Sequence, residues 1–199
     1  MKDESTTDPR QVRTRERLDA AVLGLAADAP VADLTMTALA REARVHRSTI
    51  HEYASSPGDL LRQALLGELD RLRAGLLDDP ARDTGEAMRE VTGRVLEHVR
   101  RHAAIYRRGL AADSGDGSLH GMLSEHFLES IRSLDRQRRL RWPDRVPGLP
   151  QAQLKDAAAR FVAQGTVGAI QGWLDQPDPT VRSFEALYAR LVPAWWGSR

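Results

Sequence analysis

Residues 34–61 read LTMTALAREARVHRSTIHEYASSPGDLL, and the fold turns on this stretch. Thr35 can cap a short helix from Met36 to Ala43, in which Met36, Leu39, Ala40 and Ala43 share one inward face. Three residues on, Val45-His46 leads into a second short helix, Arg47 to Tyr53, with Val45 and Ile50 as its apolar anchors. Two helices of under three turns joined by a turn of about three residues form a helix-turn-helix pattern. Ser56-Pro57 then opens a long helix whose stripe is Leu61, Leu65, Leu69, Leu72 and Leu76.

Helical signals continue in both directions. Upstream, Thr7-Asp8-Pro9 marks a helix start, Leu18, Ala21, Val22, Leu25 and Ala26 recur at the spacing of one buried stripe, and Pro30 closes the segment. Downstream, Asp83 and Glu86 form a capping pair for a helix carrying Met88, Val91, Val95 and Val99, and a further piece spans about His102 to Ala112. After a Ser114–Gly117 loop, Leu119, Met122, Leu123, Phe127, Ile131 and Leu134 mark another helix, which Trp142-Pro143 to Pro150 breaks. The last two helices run from about Gln151 to Gln176 and from Asp178-Pro179 to about Trp195. No strand-like alternation or internal repeat competes with this reading. The expected fold is all-α with about nine helices: a tail over 1–9, a helix-turn-helix domain over 10–56, and a larger ligand-binding and dimerisation domain over 57–199.

Composition narrows the classes of function. With 199 residues, 41% of them hydrophobic, the chain can bury a real core. It has no cysteine, which excludes disulfide frameworks and thiolate zinc sites. The polar, acidic start MKDESTTDP is unlike a signal peptide, and no apolar run is long enough to span a bilayer, so a cytoplasmic protein without membrane contact is expected. A net charge of +1 does not announce a nucleic-acid partner, and residues 1–62 carry nine Lys/Arg against ten Asp/Glu. The basic charge is local instead: Arg10, Arg13, Arg15 and Arg17 crowd one short stretch, and Arg41, Arg44 and Arg47 recur three apart.

Residues 34–61 resemble the TetR family of transcriptional regulators. The likeness rests on Thr35, the pair Leu39-Ala40, the tight turn ending at Val45, the Ser/Thr-bearing second helix and Leu60-Leu61. It implies a homodimer that binds palindromic or near-palindromic operator DNA, as a repressor released by a small-molecule effector. Departures are visible too. Arg44 stands where the family has Gly in the turn, at a cost of roughly 1 kcal/mol if φ is positive. His51 replaces a usual Tyr, Ala54 a common Phe and Pro57 a frequent Lys.

Groove physics assigns roles alongside the resemblance. Arg47 can bond a guanine bidentately, and Ser48 and Thr49 can reach bases or phosphates. Thr35 and Thr37 lie where hydroxyls and free N–H groups hold a phosphate; His51 and Tyr53 lie one turn on, and Arg44 and His46 flank the reading helix. About sixty residues suffice for this module, so the remaining helices have room for a mostly apolar pocket. Met88, His102, Tyr106, Met122, His126, Phe127 and Phe161 are its candidate lining, with the helix from Pro57 bordering it. Gly165, Gly168 and Gly172 form a smooth helix face, with Trp173, Phe184, Leu187, Leu191 and Trp195 as the surrounding dimer interface.

No nucleophile elbow, phosphate-cradling loop or carboxylate pair points to an enzyme, and no cofactor is implied. His98 and His102 lie four apart on a helix, but spacing ties no third ligand to them, so they read as polar or pocket residues and no metal is expected. The stretch Arg132, Arg136, Arg138, Arg139, Arg141 and Arg145 reads as a basic helix C-terminus and loop. The alternatives are an all-α ligand-binding protein or enzyme that does not use DNA, and an all-α interaction module.

Overall fold

The computed structural model describes residues 8–77, 83–111, 114–115 and 118–193. Nine α-helices occur among them: α1 (Pro9–Asp28), α2 (Met36–Glu42), α3 (Arg47–Tyr53), α4 (Pro57–Leu77), α5 (Thr84–Arg101), α6 (Ala103–Gly109), α7 (His120–Arg136), α8 (Gln151–Leu174) and α9 (Val181–Leu191). No described helix is long and apolar enough to cross a membrane.

Local chemistry sets most helix ends. Asp8 accepts from the Arg10 N–H with Pro9 in the first turn, Thr35 accepts from the Ala38 N–H, and Asp83 from the Glu86 N–H. α9 starts later than Asp178-Pro179 suggested, because Thr180 and Ser183 close a reciprocal capping box there. Two ends are unusual: α2 and α7 both finish with an arginine at positive φ, Arg44 at 53° and Arg138 at 57°. In each, the two hydrogen bonds of a glycine-type helix stop are made. Val45 N–H donates to Ala40 and Arg44 N–H to Arg41; Arg139 N–H donates to Leu134 and Arg138 N–H to Asp135.

One core runs from the short helices into the body. Leu18 and Val22 of α1, Leu39 of α2, Ile50 of α3 and Leu60, Leu65 and Leu69 of α4 are all fully buried in it, continuous with Val99, Trp173 and Phe184. Burial of such side chains is worth roughly 1.5–3 kcal/mol each, so α2 and α3 are clamped between α1 and α4. Arg108 of α6 reinforces the join by donating to the carbonyls of Ala26 and Ala27 at the end of α1. A second core, Leu128, Ile131 and Leu134 against Ala159, Val162 and Ala163, packs α7 on α8.

Candidate functional site

The exposed side of α2 and α3 carries nearly all of the residues expected to meet DNA. Thr35, Thr37, Arg44, His46, Arg47, Ser48 and His51 are exposed, while Thr49 is half-buried. His46 caps α3: its Nδ1 accepts from the Ser48 N–H at 3.3 Å and lies 2.8 Å from the Ser48 hydroxyl. The ring proton therefore sits on Nε2, facing outward as a donor. Tyr53 is half-buried against the core, with its hydroxyl 3.5 Å from the Gln11 carbonyl, so it braces α3 on α1. Arg15 is likewise drawn into the body, donating to Gln63 at 2.7 Å and pairing with Asp19 at 2.9 Å. Arg10, Arg13 and Arg17 stay exposed beside the reading face, and Arg17 reaches the Arg44 carbonyl at 3.5 Å.

A second feature lies in the body. A cavity of about 500 Å³ opens between α5, α7, α8 and α9, within the size range of small-molecule sites. Met88, His126 and Phe127 line it as expected from sequence. His102, Tyr106, Met122 and Phe161 do not: Tyr106 is fully buried, His102 faces α4, Met122 packs into the first core, and Phe161 is 66% exposed on the outside of α8. Periodicity marks a residue as inward or outward but cannot say which of two interiors it faces. The structure also corrects the expected border: among the described residues α4 contributes no lining, and α9 contributes Phe184 and Tyr188.

The cavity wall is apolar with a few fixed polar groups. Thr166 donates to the Val162 carbonyl at 2.7 Å, so the Tyr188 hydroxyl, also 2.7 Å away, donates to Thr166. His126 is buried, with Nδ1 3.3 Å from the Asp70 carboxylate of α4. Burial, aided by the Arg73 charge and opposed by Asp70, pushes its pKa down to about 4, so the ring is neutral near pH 7. This contact links a lining side chain of the cavity directly to α4.

The α8–α9 face is split by the fold. Gly165, Gly168 and Gly172 face open space, and Leu187 and Leu191 are exposed. Trp173 and Phe184, expected at a dimer interface, are instead buried in the subunit's own core, ring against ring at 5.7 Å. The Trp173 indole N–H is spent on the Thr180 carbonyl at 2.9 Å. Trp195 lies outside the described residues. Phe161 joins the glycines on this outer face, one turn before Gly165; the four-residue spacing was the signal that could have placed it there.

The basic stretch after α7 is occupied locally. Arg132 pairs with Glu125, Arg136 with Glu129, and Arg139 donates to Thr84.

No family model matches the chain, and no curated protein matches its sequence. Solved structures do share its fold. A TetR transcriptional regulator from Rhodococcus sp. RHA1 superposes with a TM-score of 0.59 at 21% identity, covering 91% of this chain and 94% of that one. The dihydroxyacetone kinase operon activator DhaS gives 0.62 at 10% identity over 89% and 93%. Thermus thermophilus FadR, a TetR-family repressor solved in complex with lauroyl-CoA, gives 0.57 at 19% identity over 90% and 96%. At these identities the likeness shows the fold: the chain has a TetR-like architecture.

Proposed function

We propose that the protein is a homodimeric, sequence-selective DNA-binding regulator, a repressor that a mostly apolar small molecule releases from its operator. The observation that carries this reading is the α2–α3 face: nine polar side chains from Thr35 to His51 stand exposed on α2, α3 and the cap and turn residues beside them, while the opposite sides of the two helices are sealed into the core. In this reading residues 10–56 are the reading head and 57–199 the ligand-binding and dimerisation body. Arg47 and Thr49 address base edges, with Ser48 able to reach base or phosphate. Thr35, Thr37, Arg44, His46 and His51 hold the phosphate backbone. Tyr53 contributes by bracing α3.

The effector occupies the cavity lined by Met88, His126 and Phe127. Because α4 touches that cavity through the Asp70–His126 contact, a ligand that displaces His126 shifts the helix that carries the reading head. A coupling of about 1–3 kcal/mol between ligand and DNA is the usual size of such an effect. A TetR-like structure solved with lauroyl-CoA supports a body of this kind accepting a ligand that carries a long apolar chain.

Selection of bound sequences from random duplex DNA by the purified protein tests the reading. A recovered near-palindrome, bound more weakly by about 1–3 kcal/mol after Arg47→Ala and with preference relaxed at one base pair per half-site, is the expected result. Failure to enrich any sequence would leave the alternative of an all-α binding protein that does not use DNA.

A further inference from the structure

Two helices and the junction that follows the second converge on a cluster that the DNA and ligand sites do not use. Glu68 of α4, His98 of α5 and His102, the residue between α5 and α6, bring one ligand atom each within 4.8 Å of one another. The Glu68 Oε2 oxygen lies 3.0 Å from His98 Nδ1 and 3.1 Å from His102 Nε2. Sequence spacing tied no carboxylate to the two histidines; the packing of α4 on α5 supplies it.

We propose that Glu68, His98 and His102 form a three-ligand site for a divalent transition-metal ion of the zinc type, with the fourth position open to water. Two imidazoles and one carboxylate are a donor set that such ions accept, at metal–ligand distances near 2.0–2.2 Å. Those lengths place neighbouring ligand atoms of a tetrahedron roughly 3.3 Å apart. The two oxygen–nitrogen distances present here need to open by a few tenths of an ångström, and the two histidine nitrogens, within 4.8 Å of each other, need to close to that spacing by turning their rings.

The surroundings are arranged as outer partners of a metal site are. The second nitrogen of His98, Nε2, is 2.8 Å from the Tyr106 hydroxyl, which is itself fully buried. Such a partner fixes the ring's orientation and tautomer. Without an ion, both histidine N–H groups point at Glu68 and Tyr106 donates to His98 Nε2. On metal binding each ring proton moves to its other nitrogen, so that His98 Nε2–H donates to the Tyr106 oxygen and no net proton is lost. Arg101, 3.8 Å from Glu68, is a cation opposing the ion, and it is 68% exposed and able to swing into water. Glu68 and His102 are partly exposed, which leaves an entry path.

Calorimetric titration of the chelator-treated full-length chain with zinc chloride, and with cobalt(II) chloride followed by visible absorption, tests the site. One ion per chain, cobalt bands of a four-coordinate complex and a raised melting temperature in the presence of zinc are expected. Glu68→Gln keeps the shape and hydrogen bonds of the cluster but weakens the ligand; it and His102→Asn should each lower zinc affinity at least about tenfold. Circular dichroism of both variants checks that they fold. Absence of saturable uptake by the wild type, or uptake of unchanged affinity in both folded variants, would overturn the proposal and reduce the cluster to a structural hydrogen-bond network.

Discussion

Arg44 shows what a single residue costs and gives here. Its φ of 53° places an L side chain in the left-handed region, at roughly 1–2 kcal/mol. Glycine there would relieve the strain but adds freedom to the unfolded chain worth about 0.4–1 kcal/mol. Relief should win, so Arg44→Gly is expected to raise the unfolding free energy by up to about 1 kcal/mol in urea titration. If the proposed function holds, the same substitution should weaken operator binding, separating the arginine's role in the turn from the proposed one at the phosphates. A less stable variant would mean that the turn is unstrained. His126 makes a different residue-level claim. The unfolded ring titrates near 6.5 and the folded one at about 4. Between these values the unfolded chain binds the extra proton, so this contribution to stability is full above pH 6.5 and lost as pH falls towards 4. A gap of that size amounts to on the order of 3 kcal/mol. Melting temperatures at about pH 7 and about pH 5 should therefore fall less steeply in His126→Gln than in the wild type; equal slopes would rule out His126 as a source of the acid sensitivity.

Among the elements, α6 is the most constrained by its neighbours. It is two turns long, yet Gly109 at its end lies so close to α7 that a Cβ there would fall 2.5 Å from Leu119 Cγ. The Leu119 N–H donates to the Gly109 carbonyl at 2.8 Å, fixing where the approach to α7 begins. Alanine is better than glycine in a helix by about 1 kcal/mol, whereas overpacking costs about 1–3 kcal/mol. Overlap is expected to dominate at Gly109, while at Gly93 of α5 nothing lies within 4 Å of the added carbon. Gly109→Ala should lower the melting temperature and Gly93→Ala raise it. Two shifts of the same sign would show that α6 and α7 adjust freely.

At the scale of the whole molecule, the proposed dimer needs a face on which two subunits can meet. Phe161, at 66% exposed, and Leu191, at 56%, stand on the same outer side as three glycines with no neighbour of their own. A second copy laid on this face would make a bundle of four helices, two from each subunit. Gly168→Leu puts its side chain into open space in the subunit, so the monomer should fold with nearly unchanged stability. In sedimentation it should nevertheless run as a monomer and lose tight operator binding, since one reading head engages one half-site. A fully dimeric Gly168→Leu protein would place the interface elsewhere.

Local signals sufficed for the helices and for which side of α2 and α3 lies exposed, because both depend on near neighbours. Thr35 and Asp83 cap within three residues, the stripe from Leu18 to Ala26 repeats every three or four, and exposure of Arg47 and His51 follows from the burial of Ile50 between them. The strain at Arg44 was legible too, because a turn that brings Val45 back to Ala40 requires the left-handed conformation whichever residue occupies it. What periodicity could not supply was the identity of the partner across a helix interface. Trp173 and Phe161 both sit on apolar stripes of α8, yet one fills the subunit's core and the other faces out, because α9 covers only one side. Tyr106 and His126 are both buried, but only His126 reaches the cavity. Glu68 lies thirty residues from His98 in the chain and 3.0 Å away in space. That distance is set by the crossing of α4 and α5, through the joint packing of their buried side chains, and no local pattern encodes it.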